Sequence, residues 1–335
     1  MNSAGNNSVT HVVVTEEEQG QRLDNFLIRR CKGVPKSHLY RILRSGEVRV
    51  NSGRVDATYR LCTGDKLRIP PIRIAARPQN EVDEVAKQRV DLPIIYEDEA
   101  LLVIDKPEGI AVHGGSGVSF GVIEALRRQR PLAKFLELAH RLDRETSGIL
   151  LVGKKRLALV ALHDMFREHG AGADKRYLVL VKGRWMNSTQ AVKLPLHKYL
   201  TESGERRVSV NPEGKASHTV FRLLARWPEM SLLEAQLKTG RTHQIRVHLA
   251  HLGFPILGDE KYGDFALNKS LSRTGLKRMA LHAWRMAFKH PLTAEPLECI
   301  APFPDGLANY IVAVDRQKTR EFSADNLEQI LGKLL

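Results

Sequence analysis

The chain of 335 residues contains only three cysteines and no long hydrophobic run, and both absences limit what it can be. Cys31, Cys62 and Cys299 lie far apart and form no CxxC pair, which argues against a zinc knuckle or a disulfide scaffold and is typical of a reducing cytosol. No apolar stretch approaches the roughly 20 residues that span a bilayer. The N-terminal stretch lacks the basic start and apolar core of a secretory signal, so we expect a cytoplasmic protein with no membrane partner.

Motifs of nucleotide binding and serine chemistry are also missing. The glycine-rich stretch 113–121, HGGSGVSFG, lacks the GK[ST] ending of a P-loop and the spacing of GxGxxG, so it is interpreted as a connector. Ser147 lacks the GxSxG elbow of a nucleophilic serine. The Thr–Ser–Gly sequence around it is instead expected to form a turn that leads into a strand.

Three histidines near residue 245 raise the question of a metal site. Their spacings of five and three residues do not match HExxH, and no cysteine lies nearby. On a helix the second and third would share a face, but the first would not. We therefore predict no metal site, and we expect surface or capping roles for His243, His248 and His251.

The net charge of +14 is high and unevenly distributed. Residues 19–77 contain fourteen Lys and Arg against four Asp and Glu, which places +10 in this stretch and leaves +4 for the rest of the chain. A basic protein favours polyanions, either nucleic acid or an anionic membrane surface. Because the charge is concentrated, we interpret the stretch as a docking module rather than as charge that only aids solubility.

The basic stretch shows two helical patterns followed by short strands. The first helix has its apolar residues at helical spacing in RLDNFLIRR. The second begins near Pro35 or Ser37 and has an apolar stripe of Leu39, Ile42 and Leu43. A strand, a turn at NSG and a return strand follow, and GDKLRIP closes the module with another short strand.

This module resembles the S4 RNA-binding domain in RLDNFL, the helix at 37–44, GEVRVNSGRV and GDKLRI. In that family the helix pair presents its cations to RNA phosphates, which implies RNA-binding roles here for Lys36, Arg41 and Arg44. Such contacts supply affinity and position the protein more than they select a sequence.

Composition shifts along the chain predict five segments. Residues 1–18 are expected to be a flexible tail, 19–77 the S4 domain, and 78–91 a linker with few large apolar residues. Strands and helices alternate from residue 92, which predicts a catalytic domain at 92–320 and a tail at 321–335. Within it we expect helices near 122–129 and 157–169.

The stretch 140–152, HRLDRETSGILLV, places four charged residues directly before an apolar run. In an extended chain Arg141 and Asp143 point to one side and Leu142 to the other, so Leu142 can pack into the core while the charges face a cleft. The pattern alone allows a buried ion pair or a turn-capping aspartate equally well.

HRLDRETSG resembles the catalytic motif of the RluA family of pseudouridine synthases. YEDEALLVIDKPEGIAVHGG, KRYLVLVKG and LKTGRTHQIRVH resemble the family's other motifs, in the family's order, between about residues 92 and 304. The resemblance implies an α+β fold with a mixed, largely antiparallel sheet around a central cleft, beside the small α+β S4 domain. It also implies an enzyme, an RNA pseudouridine synthase.

The resemblance assigns roles to four residues. Asp143 matches the family's nucleophile, which attacks either the ribose C1′ or the uracil C6. Arg241, in TGRTHQIR, matches the arginine that pairs with that aspartate and keeps it charged. Tyr177 matches the tyrosine that stacks on the flipped uracil and can accept a proton late in the reaction. Arg141 matches the arginine that fills the gap left by the extruded uridine.

The resemblance also implies the partners. Pseudouridine formation gains and loses no atoms, so no cofactor or metal is expected. The expected substrate is large-subunit (23S) ribosomal RNA, bound by a monomer. Two alternatives stay open: the same chemistry on transfer RNA or another ribosomal site, and a noncatalytic RNA-binding factor for ribosome assembly.

Overall fold

A computed structural model describes residues 8–31, 34–72, 90–114, 120–168, 172–325 and 327–328 of the chain. The chain divides into two units, Met1–Arg89 and Val90–Leu335. The division falls within the stretch 78–91 that the sequence indicates as a linker, most of which lies outside the described residues. So do residues 115–119 of the glycine-rich stretch.

The first unit contains a three-stranded antiparallel sheet and two helices. Its elements are β1 (Thr10–Val13), a 3-10 turn (Glu16–Glu18), α1 (Leu23–Arg30), α2 (Lys36–Arg44), β2 (Arg49–Val50) and β3 (Lys66–Ile69), and the strand order is β1-β3-β2. The return strand expected directly after the NSG turn is replaced by β3, which pairs with β2. Positive φ angles of 49° at Asn51 and 67° at Ser52 form the turn, a conformation that asparagine tolerates well.

Helix α2 has the two faces that its sequence predicts. Leu39, Ile42 and Leu43 are buried in the core of the first unit. Its cations lie on the opposite side and are exposed: Lys36, Arg41 and Arg44. The helix is tied to α1 by buried Asp24, which accepts a hydrogen bond of 3.0 Å from the Tyr40 hydroxyl. The exposed cations therefore project from a fixed helix.

The prediction that residues 1–18 form a flexible tail is wrong for the second half of that segment. Thr10–Val13 forms β1 and pairs with β3 across four residues, from Thr10 with Ile69 to Val13 with Lys66. Val12 and Val14 are buried in the same core as α1 and α2. A four-residue strand gives too short a pattern to stand out in sequence, and its pairing partner lies more than fifty residues away.

The second unit is built on one large sheet. Its strands are β4 (Ile94–Glu97), β5 (Leu101–Lys106), β6 (Glu137–Leu138), β7 (Ser147–Gly153), β8 (Ala173–Lys182), β9 (Thr189–Val192), β10 (Leu196–Leu200), β11 (Arg206–Val210), β12 (Thr219–Arg226), β13 (Met230–Leu237), β14 (Leu281–Lys289), β15 (Pro296–Ile300) and β16 (Phe322–Ser323). Its helices are α3 (Val122–Gln129), α4 (Arg156–Arg167), α5 (Gln244–His251), α6 (Phe265–Arg273) and α7 (Asp305–Gln317). The helices expected near 122–129 and 157–169 are confirmed. None of the described helices is long and apolar enough to cross a membrane.

The strand order is β16-β12-β13-β8-β14-β7-β5-β4, with β15 beside β14, β6 beside β7 and β9 beside β12. Among the described strands only the pairing of β7 with β14 is parallel, so the expected mixed, largely antiparallel sheet is confirmed. Strands β10 and β11 form a separate hairpin. All seven residues of β7 are buried, which explains the apolar run that follows the charges.

The predicted boundary of the catalytic domain at residue 320 is too early. Strand β16 pairs with β12 through Phe322 and Ser323, and Leu327 is 1% exposed. Both strand and side chain thus belong to the second unit, although they lie in the stretch 321–335 expected to be a tail. Residues 329–335 lie outside the described part of the chain.

Deletion of residues 1–14 from the full chain is expected to lower the free energy of unfolding of the first unit by several kcal/mol. The deletion removes a sheet strand and two buried valines, and each fully buried valine contributes about 1.5–3 kcal/mol. Urea denaturation of the full chain measures the change. Deletion of residues 1–7 is the control, and equal stability of the two deletions would show that β1 does not support the unit.

Candidate active site

The loop between β6 and β7 carries Asp143. Leu142 is 4% exposed and packs inward, while Arg141 is exposed and the Asp143 side chain is 19% exposed. The alternation predicted for Arg141, Leu142 and Asp143 is confirmed. The Thr146 amide donates a hydrogen bond of 3.2 Å to the Asp143 carbonyl oxygen, which closes a turn directly after the aspartate.

That turn lies earlier than the sequence indicated. The expected turn at Thr–Ser–Gly is wrong, because Ser147 already begins β7 and pairs with His282 of β14. Gly148 has a φ of +107°, and a Cβ there would lie 2.2 Å from the Ala283 carbonyl oxygen. Only glycine allows the two parallel strands to approach this closely. The Ser147 hydroxyl bonds to His282 Nδ1 at 2.8 Å and is buried.

A buried lysine donates hydrogen bonds to the backbone of this turn and of a neighbouring loop. Lys106 is fully buried, and its ammonium group donates to the carbonyl oxygens of Pro107 (2.7 Å), Ile110 (2.8 Å) and Arg144 (3.1 Å). Burial lowers the pKa of Lys106 to about 8. The bond to Arg144 fixes the backbone one residue after Asp143, so the carboxylate starts from a defined position.

Arg246 forms the ion pair with Asp143. Its Nη1 donates to Asp143 Oδ2 at 3.0 Å, while Nε and Nη2 donate to the two carboxylate oxygens of Asp259 at 2.7 and 2.8 Å. The Arg246 side chain is 7% exposed and that of Asp259 is 0% exposed. Burial works against the charge, but the bonds to Asp259 and Asp143 outweigh it and raise the pKa of Arg246.

The expectation that Arg241 would pair with Asp143 is wrong. Arg241 lines the same cleft, but its Nε donates to the Ala216 carbonyl oxygen at 3.2 Å. It precedes α5, whereas Arg246 lies in the first turn of that helix and faces inward. One sequence signal could have identified Arg246. It interrupts an otherwise apolar stretch of the helix, and a buried arginine needs a carboxylate partner.

Tyr177 reaches the cleft from β8 and is 7% exposed. Burial, and to a lesser extent the nearby Asp143, raises the pKa of Tyr177. The phenol is therefore neutral at physiological pH, and its ring is held in the sheet beside the aspartate. This environment favours a stacking surface over a base in the free protein.

His243 is a further neighbour of Asp143 that the sequence did not indicate. Its Nε2 lies 3.8 Å from Asp143 Oδ2, and its Nδ1 is bonded to the Tyr262 hydroxyl at 2.8 Å. That hydroxyl also accepts a hydrogen bond of 3.0 Å from the Val208 amide of β11. Burial lowers the pKa of His243 below its usual value, although Asp143 opposes the shift.

The three histidines do not converge on a metal. His248 is buried and is bonded to the hydroxyls of Ser217 (2.8 Å) and Thr219 (3.0 Å), so the surface role expected for it is wrong. His243 occupies the N-cap position of α5 but makes no side-chain capping bond. Within the described residues no group of three or more His, Cys, Asp or Glu is arranged to hold a metal ion.

These residues surround a cleft of about 350 Å³. The charged groups among its described lining residues are one carboxylate and five cations: Asp143, Arg141, Arg167, Lys175, Arg241 and Arg246. A volume of this order is typical of a small-molecule or nucleotide pocket. The structure thus brings Arg141, Asp143, Tyr177 and Arg241 to one cleft, while Lys36, Arg41 and Arg44 lie on α2 of the first unit.

Replacing Arg246 by methionine is expected to lower the free energy of unfolding of the second unit by about 3–5 kcal/mol. The change leaves the buried carboxylate of Asp259 and the half-buried carboxylate of Asp143 without their shared cation. Arg241→Met is the matched control and should cost about 1 kcal/mol or less, because Arg241 makes one hydrogen bond at the cleft surface. Urea denaturation compares the two. Equal losses would contradict the assignment of Arg246 as the buried partner.

Comparison with known proteins agrees with the two units. A family model of RNA pseudouridylate synthases matches residues 100–251, and an S4 domain model matches residues 21–67. Among solved structures, human RNA pseudouridylate synthase domain containing 1 superposes with a TM-score of 0.58 at 25% identity, covering 73% of this chain and 94% of that one.

Two relatives are similar over nearly their whole length. The ribosomal large subunit pseudouridine synthase C of Pasteurella multocida is 49% identical over 321 residues, which is 94% of this chain and 96% of that protein. The protein of the same name from Escherichia coli is 51% identical over 304 residues, 90% of this chain and 95% of that one. The chain therefore belongs to the RNA pseudouridylate synthases, as its motifs indicated, and carries an S4 domain in its N-terminal unit.

Proposed function

We propose that this protein converts uridine to pseudouridine in large-subunit (23S) ribosomal RNA, with Asp143 as the nucleophile on a flipped-out uridine. The relatives named above are large-subunit enzymes, which supports the choice of RNA. The observation that carries the mechanism is the position of Asp143 as the one carboxylate among the described lining residues of a cationic cleft. A polyanion is drawn to such a cleft, and a single anionic side chain meets the nucleotide there.

The reaction rearranges bonds within one nucleotide. The bond between ribose C1′ and uracil N1 breaks, a bond between C1′ and C5 forms, and the proton on C5 is lost while N1 gains one. No electrons are gained or lost overall, so the proposed mechanism uses no metal or small-molecule cofactor. Asp143 adds to the nucleotide, releases the uracil ring to turn within the cleft, and leaves unchanged.

The neighbours of Asp143 have separate tasks in this mechanism. Arg246 holds one carboxylate oxygen at 3.0 Å, which leaves the other oxygen to attack. Tyr177 presents its ring to the flipped uracil within the cleft. Arg141 is exposed beside the nucleophile, where it can enter the gap left in the RNA. Flipping costs a few kcal/mol, and an inserted cation offsets part of that.

The S4 unit supplies affinity in this proposal. Lys36, Arg41 and Arg44 are exposed on one side of α2, and the side chain of Arg41 is 58% exposed despite an ion pair of 3.6 Å with Glu47. Cations placed in this way contact phosphates without reading bases. We further infer that the protein acts as a cytoplasmic monomer on ribosomal RNA.

Asp143→Asn is expected to abolish pseudouridine formation while RNA binding is retained, because the amide is nearly isosteric but cannot act as the nucleophile. Pseudouridines are mapped in ribosomal RNA from cells that lack the protein and carry either the wild type or the variant. At least one uridine of the large-subunit RNA should be converted to pseudouridine in cells that carry the wild type and not in cells that carry the variant. Conversion by the variant would overturn the role of Asp143. Sites found only in transfer RNA would overturn the substrate, and no dependent site would favour the noncatalytic assembly factor.

Replacing Lys36, Arg41 and Arg44 together by glutamine is expected to weaken binding of a 23S ribosomal RNA transcript and to reduce its salt dependence. Each lost phosphate contact lowers the slope of log K against log salt by about 0.7–0.9. Filter binding at several salt concentrations gives the slope. The control replaces three exposed cations of the second unit, Lys269, Arg273 and Lys277, and an equal slope change in both triple variants would refute the role of α2.

A further inference from the structure

Lys175 occupies an unusual place in the cleft. It lies on β8 two residues before Tyr177, so strand alternation puts both side chains on the same face, and both line the cleft. Its neighbours Asp174 and Arg176 point to the opposite face. There Arg176 bonds to Asp174 at 2.8 Å and to Glu234 at 2.9 Å. Lys175 is thus the cation of this strand that faces the substrate side.

The ammonium group of Lys175 has no carboxylate partner within the described part of the chain. Its described contact is the face of the Phe166 ring, whose centroid lies 5.0 Å from Nζ. A Cβ on Gly240 would lie 3.7 Å from Nζ, which puts the amine beside the loop that carries Arg241. Burial lowers the pKa of Lys175, and no nearby charge acts in the other direction.

Two other cations of the cleft have carboxylate partners. Arg246 is satisfied by two carboxylates, and Arg167 at the cleft edge pairs with Asp164 at 2.5 Å. The half-buried ammonium of Lys175 rests on an aromatic ring, so it has lost part of its hydration without gaining an anion. An incoming anion with oxygen acceptors would restore what burial has removed.

A nucleotide entering the cleft brings such an anion. With the uracil against Tyr177 and the ribose beside Asp143, the phosphates on either side of the nucleotide are the negative groups nearest to the cleft wall. We propose that Lys175 binds one of the two RNA phosphates that flank the flipped uridine. The assignment rests on the proposed function, which places that uridine in the cleft. It adds a phosphate contact inside the catalytic unit to those proposed for the S4 unit.

The test is a binding cycle with a synthetic RNA stem-loop that carries the target uridine identified by the mapping above. The two flanking phosphates are replaced one at a time by neutral methylphosphonates. All proteins in the binding measurements carry Asp143→Asn, so affinity is measured without turnover. Lys175→Met should weaken binding of the natural stem-loop about tenfold, the size of one charged hydrogen bond.

At one of the two positions, the methylphosphonate should weaken binding by the same factor in the protein that keeps Lys175. In the Lys175→Met variant the same methylphosphonate should cause no further loss of affinity. Lys175→Arg should recover most of the affinity, because it restores the charge. Additive losses at both phosphates would overturn the contact. A second result would also overturn it. If Lys175→Met, made in the protein that keeps Asp143, lowers the single-turnover rate at saturating RNA but leaves the affinity unchanged, then Lys175 acts on the chemistry.

Lys269→Met is the matched control, because Lys269 is an exposed lysine of α6 that does not line the cleft. It should change neither the affinity nor the effect of the methylphosphonates. The two proposals fail separately in this design. Absence of pseudouridine in the stem-loop after incubation with the Asp143 protein contradicts the proposed function, whereas the phosphate contact is judged by affinity alone.

Discussion

The position of the nucleophile depends on one buried arginine. Arg246 comes from the first turn of α5, Asp143 from the loop before β7, and Asp259 from the loop after α5, so a single guanidinium joins segments far apart in sequence. The ring of Tyr262 covers it, with the guanidinium carbon 5.1 Å from the ring centroid. Because an arginine desolvated to this degree is costly unless both carboxylates are present, the three residues stabilise one another's positions. The geometry of the cleft follows from that constraint.

Local patterns predicted the parts of the fold that local interactions determine. Helices α2, α3 and α4 were predicted from the local sequence, and each of them buries one apolar stripe. The terminal strands were missed for the opposite reason. Strands β1 and β16 contain four and two residues, and they exist only because β3 and β12 offer them an edge. Pairings of that kind have no local signature.

The candidate site likewise has features that the local sequence predicts and features that only long-range packing determines. The alternation of Arg141, Leu142 and Asp143 follows from three consecutive residues and was visible in the sequence. The choice between Arg241 and Arg246 was missed, because both occur in one motif and the path of the chain into α5 turns the guanidinium of Arg246 inward. The place of His243 beside Asp143 was missed because its φ of 54° puts it between loop and helix, where neither periodicity applies. Residue type identified the chemistry of the cleft, and three-dimensional packing determined the partners.

Tyr262 has a consequence for the protons around Asp143. Its hydroxyl oxygen accepts the Val208 amide and lies 2.8 Å from His243 Nδ1, so the hydroxyl can donate its own hydrogen to that nitrogen. A neutral imidazole that accepts at Nδ1 carries its proton on Nε2, the nitrogen 3.8 Å from the carboxylate of Asp143. The Val208 amide of β11 holds the Tyr262 hydroxyl where a hydrogen bond to Nδ1 would favour this tautomer of His243. In that tautomer the Nε2–H bond of His243 faces Asp143 while the imidazole stays neutral. This arrangement depends on the position of the β10–β11 hairpin beside α5.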